Sequence, residues 1–200
     1  MSDLKQKRIV LTGGPCGGKT TLTKVLAKAF ESQLVVVPES ASLLFSGGFP
    51  RWPDSTTLKS TQRAIYHTQR ELETCYGNHY PEFHLILDRG TIDGAAYWPH
   101  GCEDFFQSLG TTLVGELARY DHVIYLESAD AKAYENNKKK NPNRHETWEQ
   151  AKKLDEETLA LWSKHPNLTI VKNQCAFSEK VSLVFKLMET EFLPTKRRAP

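Results

Sequence analysis

The stretch GGPCGGKTT, residues 13–21, sets four glycines around a proline and a cysteine and ends on a lysine and two threonines. Gly13, Gly18, Lys19 and Thr20 fall on the fixed positions of G-x-x-x-x-G-K-[ST]. The residue types carry the chemistry. Glycines let a backbone take positive φ and approach a ligand closely, so that successive N–H groups can turn inward as an anion nest. A helix starting behind the loop adds about half a positive charge. Lys19 reaches the outer phosphates of a nucleoside triphosphate, and the Thr20 hydroxyl can ligate Mg²⁺. Gly13, Gly14, Pro15, Cys16, Gly17, Gly18, Lys19, Thr20 and Thr21 together form the candidate nucleotide-binding loop.

Such a loop works only between a strand and a helix. Upstream, Ile9, Val10 and Leu11 make a short apolar run suited to a buried strand. Downstream, Leu22, Val25, Leu26, Ala29 and Phe30 recur at i, i+3, i+4, i+7 and i+8, one face of a helix. Four further strand-like runs follow: QLVVVP (33–38), FHLILD (83–88), HVIYLE (122–127) and LTIVKN (168–173). Helical patterns lie between them at about 56–76, about 104–119, from Thr147, and about 178–192. Thr147 and Gln150 make a capping box for the third. The stretch 43–54, LLFSGGFPRWPD, shows no periodicity and reads as a loop. Strands alternating with helices predict a parallel α/β sheet covered on both faces, with ligands at the carboxyl ends of its strands.

The residues just after each strand therefore bear most on function. Glu39 follows the second strand, where a carboxylate can accept a proton from a substrate hydroxyl; a surface ion pair is the plainer alternative. Asp88, Arg89 and Asp93 follow the third. Asp88 stands where such proteins hold magnesium or an attacking water, or else caps a turn. Arg89 is a cation that can face a transferring phosphoryl group. Residues 130–146 are polar and carry Lys138, Lys139, Lys140, Arg144 and His145, which suits either a lid whose arginine closes on phosphates or a solvated loop. In the loop beside Glu39, Phe49 or Trp52 can stack on a flat substrate ring, or the loop can cover the core.

Length and composition fit this reading. Two hundred residues suit one domain, expected over 1–193, with a flexible basic tail at 194–200. Net charge is +2, from 26 basic and 24 acidic residues, which implies no strong attraction to nucleic acid or to a membrane surface. Cys16, Cys75, Cys102 and Cys175 form no C-x-x-C pair and read as reduced thiols of a cytoplasmic protein. No apolar run approaches the ~18 residues of a membrane span, and the polar N-terminus lacks the apolar region of a signal peptide.

The set GGPCGGKTT, VVVPESA, LDRGTIDGAAYWP and NPNRHE resembles a P-loop ATPase/kinase domain family. That family contains the ribosylnicotinamide kinase domain of the NadR regulator and the protein named for defective translocation of the TRPL channel. The resemblance covers about residues 8–190. It implies a five-stranded parallel sheet of order 2-3-1-4-5, similar to deoxynucleoside and nucleoside monophosphate kinases. It also implies a base at Glu39, an acid–arginine pair at Asp88 and Arg89, and a lid arginine at Arg144. Thr20 and Asp88 are then the expected Mg²⁺ ligands, and Glu39, Phe49, Trp52, Arg89 and Asp93 the expected acceptor wall. No N-K-x-D follows the fourth or fifth strand, which favours ATP and leaves GTP open. Two functions are expected: a kinase passing the γ-phosphate of ATP–Mg to a small nucleoside-like or other polar acceptor, or a regulatory or trafficking NTPase without an acceptor.

Overall fold

The computed structural model describes residues 5–14, 17–128, 130–131, 134, 147–173 and 177–193. Its centre is a five-stranded parallel sheet: β1 (Arg8–Gly13), β2 (Leu34–Val37), β3 (His84–Asp88), β4 (His122–Leu126) and β5 (Leu168–Val171). The order is β2-β3-β1-β4-β5, with every neighbouring pair parallel. The strands read as continuous apolar runs because both faces are covered. Side chains alternate between two cores. Val10, Leu85, Leu87, Val123 and Tyr125 point to one face. Ile9, Leu11, Ile86, Ile124 and Leu126 point to the other.

Helix α1 (Lys19–Ala29) covers the second face, sinking Leu22 and Leu26 beside Val184 of α7 (Phe177–Leu187). The first face takes α3 (Ser55–His79), a short 3-10 turn (Asp93–Tyr97), α4 (Gly101–Ser108), α5 (Leu113–Leu117) and α6 (Trp148–Trp162). These elements, with Ile92 and Trp98 flanking the 3-10 turn, supply Tyr66, Phe105, Leu117 and Trp162 to one core. The Thr147 box forms as expected: Gln150 N donates to Thr147 Oγ1 (3.2 Å), and Thr147 N donates to Gln150 Oε1 (2.8 Å).

Three elements depart from the sequence pattern. The helix expected over 104–119 is two helices, because Gly110 turns left-handed at φ 65° and Thr112 starts α5, accepting from Gly115 N at 3.0 Å. The stretch expected as a loop from 43 begins inside α2 (Ser40–Ser46), which is too short to show a period. The last helix ends at Leu187 and widens into a π turn over Met188–Phe192.

Candidate functional site

Strand order explains why three remote segments meet. The phosphate loop follows β1, Glu39 lies just past β2, and Asp88 and Arg89 end β3; in space these are the adjacent strands β2-β3-β1. Neighbouring strands lie about 4.8 Å apart, so the ends of β1 and β2 are about 10 Å apart. Side chains from both can reach one small molecule.

The loop geometry demands its glycines. Gly13 has φ 130°, and a Cβ there would lie 2.0 Å from the Leu126 carbonyl oxygen of β4. Gly18 caps α1 at φ 93° without a side-chain cap, so the first amides of the helix stay free for an anion. Lys19 folds back onto its own loop, donating to the carbonyls of Gly13 (2.7 Å) and Gly14 (2.6 Å). Burial, then the nearby Arg89 charge, pulls its pKa down to about 7. Thr20, at the start of α1, is exposed. Pro15, Cys16 and Arg144 lie outside the described residues, as do Cys175, Lys138, Lys139, Lys140, His145 and the tail 194–200.

Across from the loop, Glu39 is the N-cap residue of α2. Its Oε1 accepts from Arg89 Nε at 2.6 Å, and its Oε2 accepts from the Ser42 hydroxyl one turn into the helix. Burial pushes the Glu39 carboxyl up, but the Arg89 guanidinium and the two hydrogen bonds outweigh it and hold the pKa below its ordinary value. Arg89 would be pulled down by burial, yet Glu39, Tyr97 and Asp93 hold it above the usual arginine range, so it stays charged. Its φ is 72°. A left-handed arginine costs of order 1–3 kcal/mol and persists only where its surroundings fix it.

Asp88 is buried at the end of β3, and among the described residues no hydrogen bond or ion pair engages its carboxylate. Burial and the neighbouring Glu39 push its pKa to about 6. A buried carboxylate without a donor among the described residues, at a strand end next to that of β1, fits a hard divalent cation that keeps most of its waters. Asp93 is differently employed. Its oxygens accept from Thr12 Oγ1 (2.6 Å), Gly90 N (2.8 Å) and Trp162 Nε1 (3.2 Å), so its visible work is to hold the turn after β3. Trp52, at 65 % exposed, faces outward and does not close over the core; Phe49 is half-buried.

Residues 8–180 match the family described as an AAA domain. The chain belongs to that family. No curated protein matches it by sequence. Among solved structures, this AAA domain is similar to thymidylate kinase from Candida albicans, at 15 % identity and a TM-score of 0.70, over 93 % of this chain and 92 % of that one. It is also similar to deoxyadenosine kinase from M. mycoides with bound dATP, at 13 % identity and a TM-score of 0.63, over 92 % of this chain and all of that one. Those likenesses establish the P-loop kinase-type fold with its 2-3-1-4-5 sheet. Among the described residues of this AAA domain, no helix is long and apolar enough to cross a membrane.

Sequence reasoning passed over several groups at the site. The ring of Phe177, 40 % exposed, packs so close to Gly18 that a Cβ there would lie 2.7 Å from it. An aromatic side chain soon after a strand's carboxyl end is the signal that marks it. Asp155 of α6 accepts from Tyr125 Oη and from Ser128 N, tying that helix to the end of β4. Nothing in the spacing of those residues announces that bond.

Proposed function

We propose that this AAA domain is a phosphotransferase that moves the γ-phosphoryl group of ATP to an uncharged hydroxyl of a small, nucleoside-like acceptor. The observation that carries the reading is the Glu39–Arg89 pair, 2.6 Å apart, beside the phosphate loop. Simple hydrolysis needs no carboxylate on that wall. An acceptor hydroxyl does, because its proton must leave as the oxygen attacks phosphorus. A phosphomonoester acceptor fits less well. It arrives ionised and meets the carboxylates of Glu39 and Asp88.

In this reading the first amides of α1 and Lys19 hold the β- and γ-phosphates, with Lys19 leaving the carbonyls of Gly13 and Gly14 to do so. Phe177 offers its exposed ring to the nucleotide base. Glu39 accepts the acceptor's proton, and Arg89 is positioned for the charge on the transferring group. Phe49 and Trp52 stand at the acceptor's entrance. Thr20 and Asp88 would hold Mg²⁺, which would neutralise phosphate charge there.

Incubation with γ-labelled ATP and separate panels of nucleosides, other ribosides and nucleoside monophosphates tests the reading. Label on a neutral hydroxyl compound is the expected result. Label only on monophosphates overturns the uncharged acceptor. Free phosphate alone, whatever is added, makes the protein a nucleotide-dependent regulatory NTPase.

A further inference from the structure

The turn that carries Arg89 is fastened from two sides. On one, Asp93 accepts from Thr12, Gly90 and Trp162. On the other, Thr91 reaches into a buried polar cluster that the proposed chemistry does not use. Thr91 Oγ1 donates to Glu116 Oε2 at 2.7 Å. Thr91 N donates to Tyr120 Oη at 2.9 Å. Glu116 is 1 % exposed, and its other oxygen accepts from Tyr66 Oη (2.7 Å) and Thr111 Oγ1 (2.9 Å). Tyr120 Oη donates in turn to Glu73, which is fully buried and salt-bridged to Arg119 at 2.5 Å.

A buried carboxylate with this many donors is fixed in place, since each lost partner leaves an unsatisfied polar group. The cluster draws on α3, α5 and the residues on either side of α5, and Thr91 hydrogen-bonds it to the Arg89 turn. Arg89 needs such support: its left-handed backbone is held on its upstream side by the Arg89 N to Leu11 O bond, 3.1 Å.

We infer that Glu116, acting through the Thr91 hydroxyl, is a positioning residue for Arg89, setting the guanidinium against Glu39 and toward the transferring group. This role presupposes the phosphotransferase reading for its effect on turnover, but not for its effect on Arg89 itself. Without the Thr91 hydroxyl, the turn keeps Asp93 and the residue 91 N–H bond to Tyr120 but loses its tie to Glu116. The strained residue then samples other backbone angles, and the Arg89–Glu39 bond opens more often.

The test uses the ¹⁵N-labelled full chain and the Nε–Hε resonance of Arg89, assigned by its loss in Arg89→Lys. Thr91→Val keeps the shape and removes the hydroxyl. It is expected to speed solvent exchange of that proton about tenfold, the ratio that one buried hydrogen bond of ordinary strength sets. Thr91→Ser, which keeps the hydroxyl, is expected to exchange as the native chain does. Glu116→Leu, which offers the Thr91 hydroxyl no polar partner, is expected to match Thr91→Val. If transfer occurs, Thr91→Val lowers kcat about tenfold with the KM for ATP within about twofold. Native-like exchange in Thr91→Val, or equal exchange in Thr91→Ser and Thr91→Val, overturns the inference whether or not any acceptor is phosphorylated. Absence of transfer with the expected exchange pattern overturns the phosphotransferase reading alone.

Discussion

Replacing Glu39 with glutamine removes one proton acceptor and one negative charge while keeping the shape of the side chain. The Ser42 hydroxyl still has a carbonyl oxygen to donate to, but Arg89 Nε loses a charged acceptor at 2.6 Å. A hydrogen bond to a charged group contributes about 1.5–3 kcal/mol. The two side chains retain 26 % and 20 % exposure, so solvent screening reduces that to about 1–2 kcal/mol. For a chain of this size each kcal/mol shifts Tm by about 2–4 °C, so melting should fall by about 2–8 °C. Turnover should suffer far more. A positioned general base contributes ~10²–10⁴-fold, and proton removal belongs to the transition state, so kcat for acceptor phosphorylation falls by that factor while ATP affinity holds. Calorimetric melting, ATP titration and transfer of γ-label to the acceptor are the three measurements. Unchanged transfer in Glu39→Gln would refute the base. So would a loss of transfer matched step for step by a loss of ATP binding, since that pattern belongs to a structural carboxylate.

Lys19→Ala should lower nucleotide affinity or turnover by at least ~10²-fold, as positioning and charge stabilisation supply most of phosphoryl-transfer catalysis; intact calorimetric ATP binding together with intact turnover would sink the phosphate-loop assignment. In the empty protein Lys19 has a pKa of about 7, so at pH 8 it is mostly neutral, and the charge of bound phosphates draws a proton back. Binding at pH 8 should therefore take up a proton, and affinity should fall as pH rises above 7. Asp88, at about 6, is already ionised there and contributes nothing. Titrations in buffers of different ionisation enthalpy read the uptake, and identical heats would remove the lysine from the linkage. Gly90→Ala places a Cβ 2.8 Å from the Trp162 ring, an overpacking worth about 1–3 kcal/mol. The cost should shrink in a Trp162→Phe background, and equal costs in both backgrounds mean that the ring is not the obstacle.

The phosphate loop, the five strands and the start of α6 were legible because each depends on neighbours in sequence: a fixed spacing, a short β-branched run, a threonine three residues before a glutamine. Carboxyl-end geometry then pointed to Glu39, Asp88 and Arg89 as residues to watch. That Glu39 and Arg89 form a pair was not legible, since they stand 50 residues apart and no local pattern tells which strands lie side by side. The order came only from the likeness to a family. Asp93 looked available for a substrate, yet it bonds to Thr12, 81 residues away, and Trp162, 69 away. Glu116 left no trace because a five-residue helix shows no period and a glutamate reads as surface. The break between α4 and α5 did have a signal, Gly110 ahead of the Thr112 cap, which the apolar pattern outweighed.

Among the described residues, the sheet separates two cores that share no side chains. One backs α1, behind the phosphate loop, and the other backs α3, the 3-10 turn and α6, behind the wall that carries Arg89. Repacking either layer changes contacts on its own side of a rigid partition. Natural drift or laboratory selection can therefore reshape one layer through Tyr66, Trp98 or Phe105 while Leu22, Leu26 and Val184 keep the other as it was. A fold wired this way is evolvable in halves: one layer stays constant, and the other is free to change.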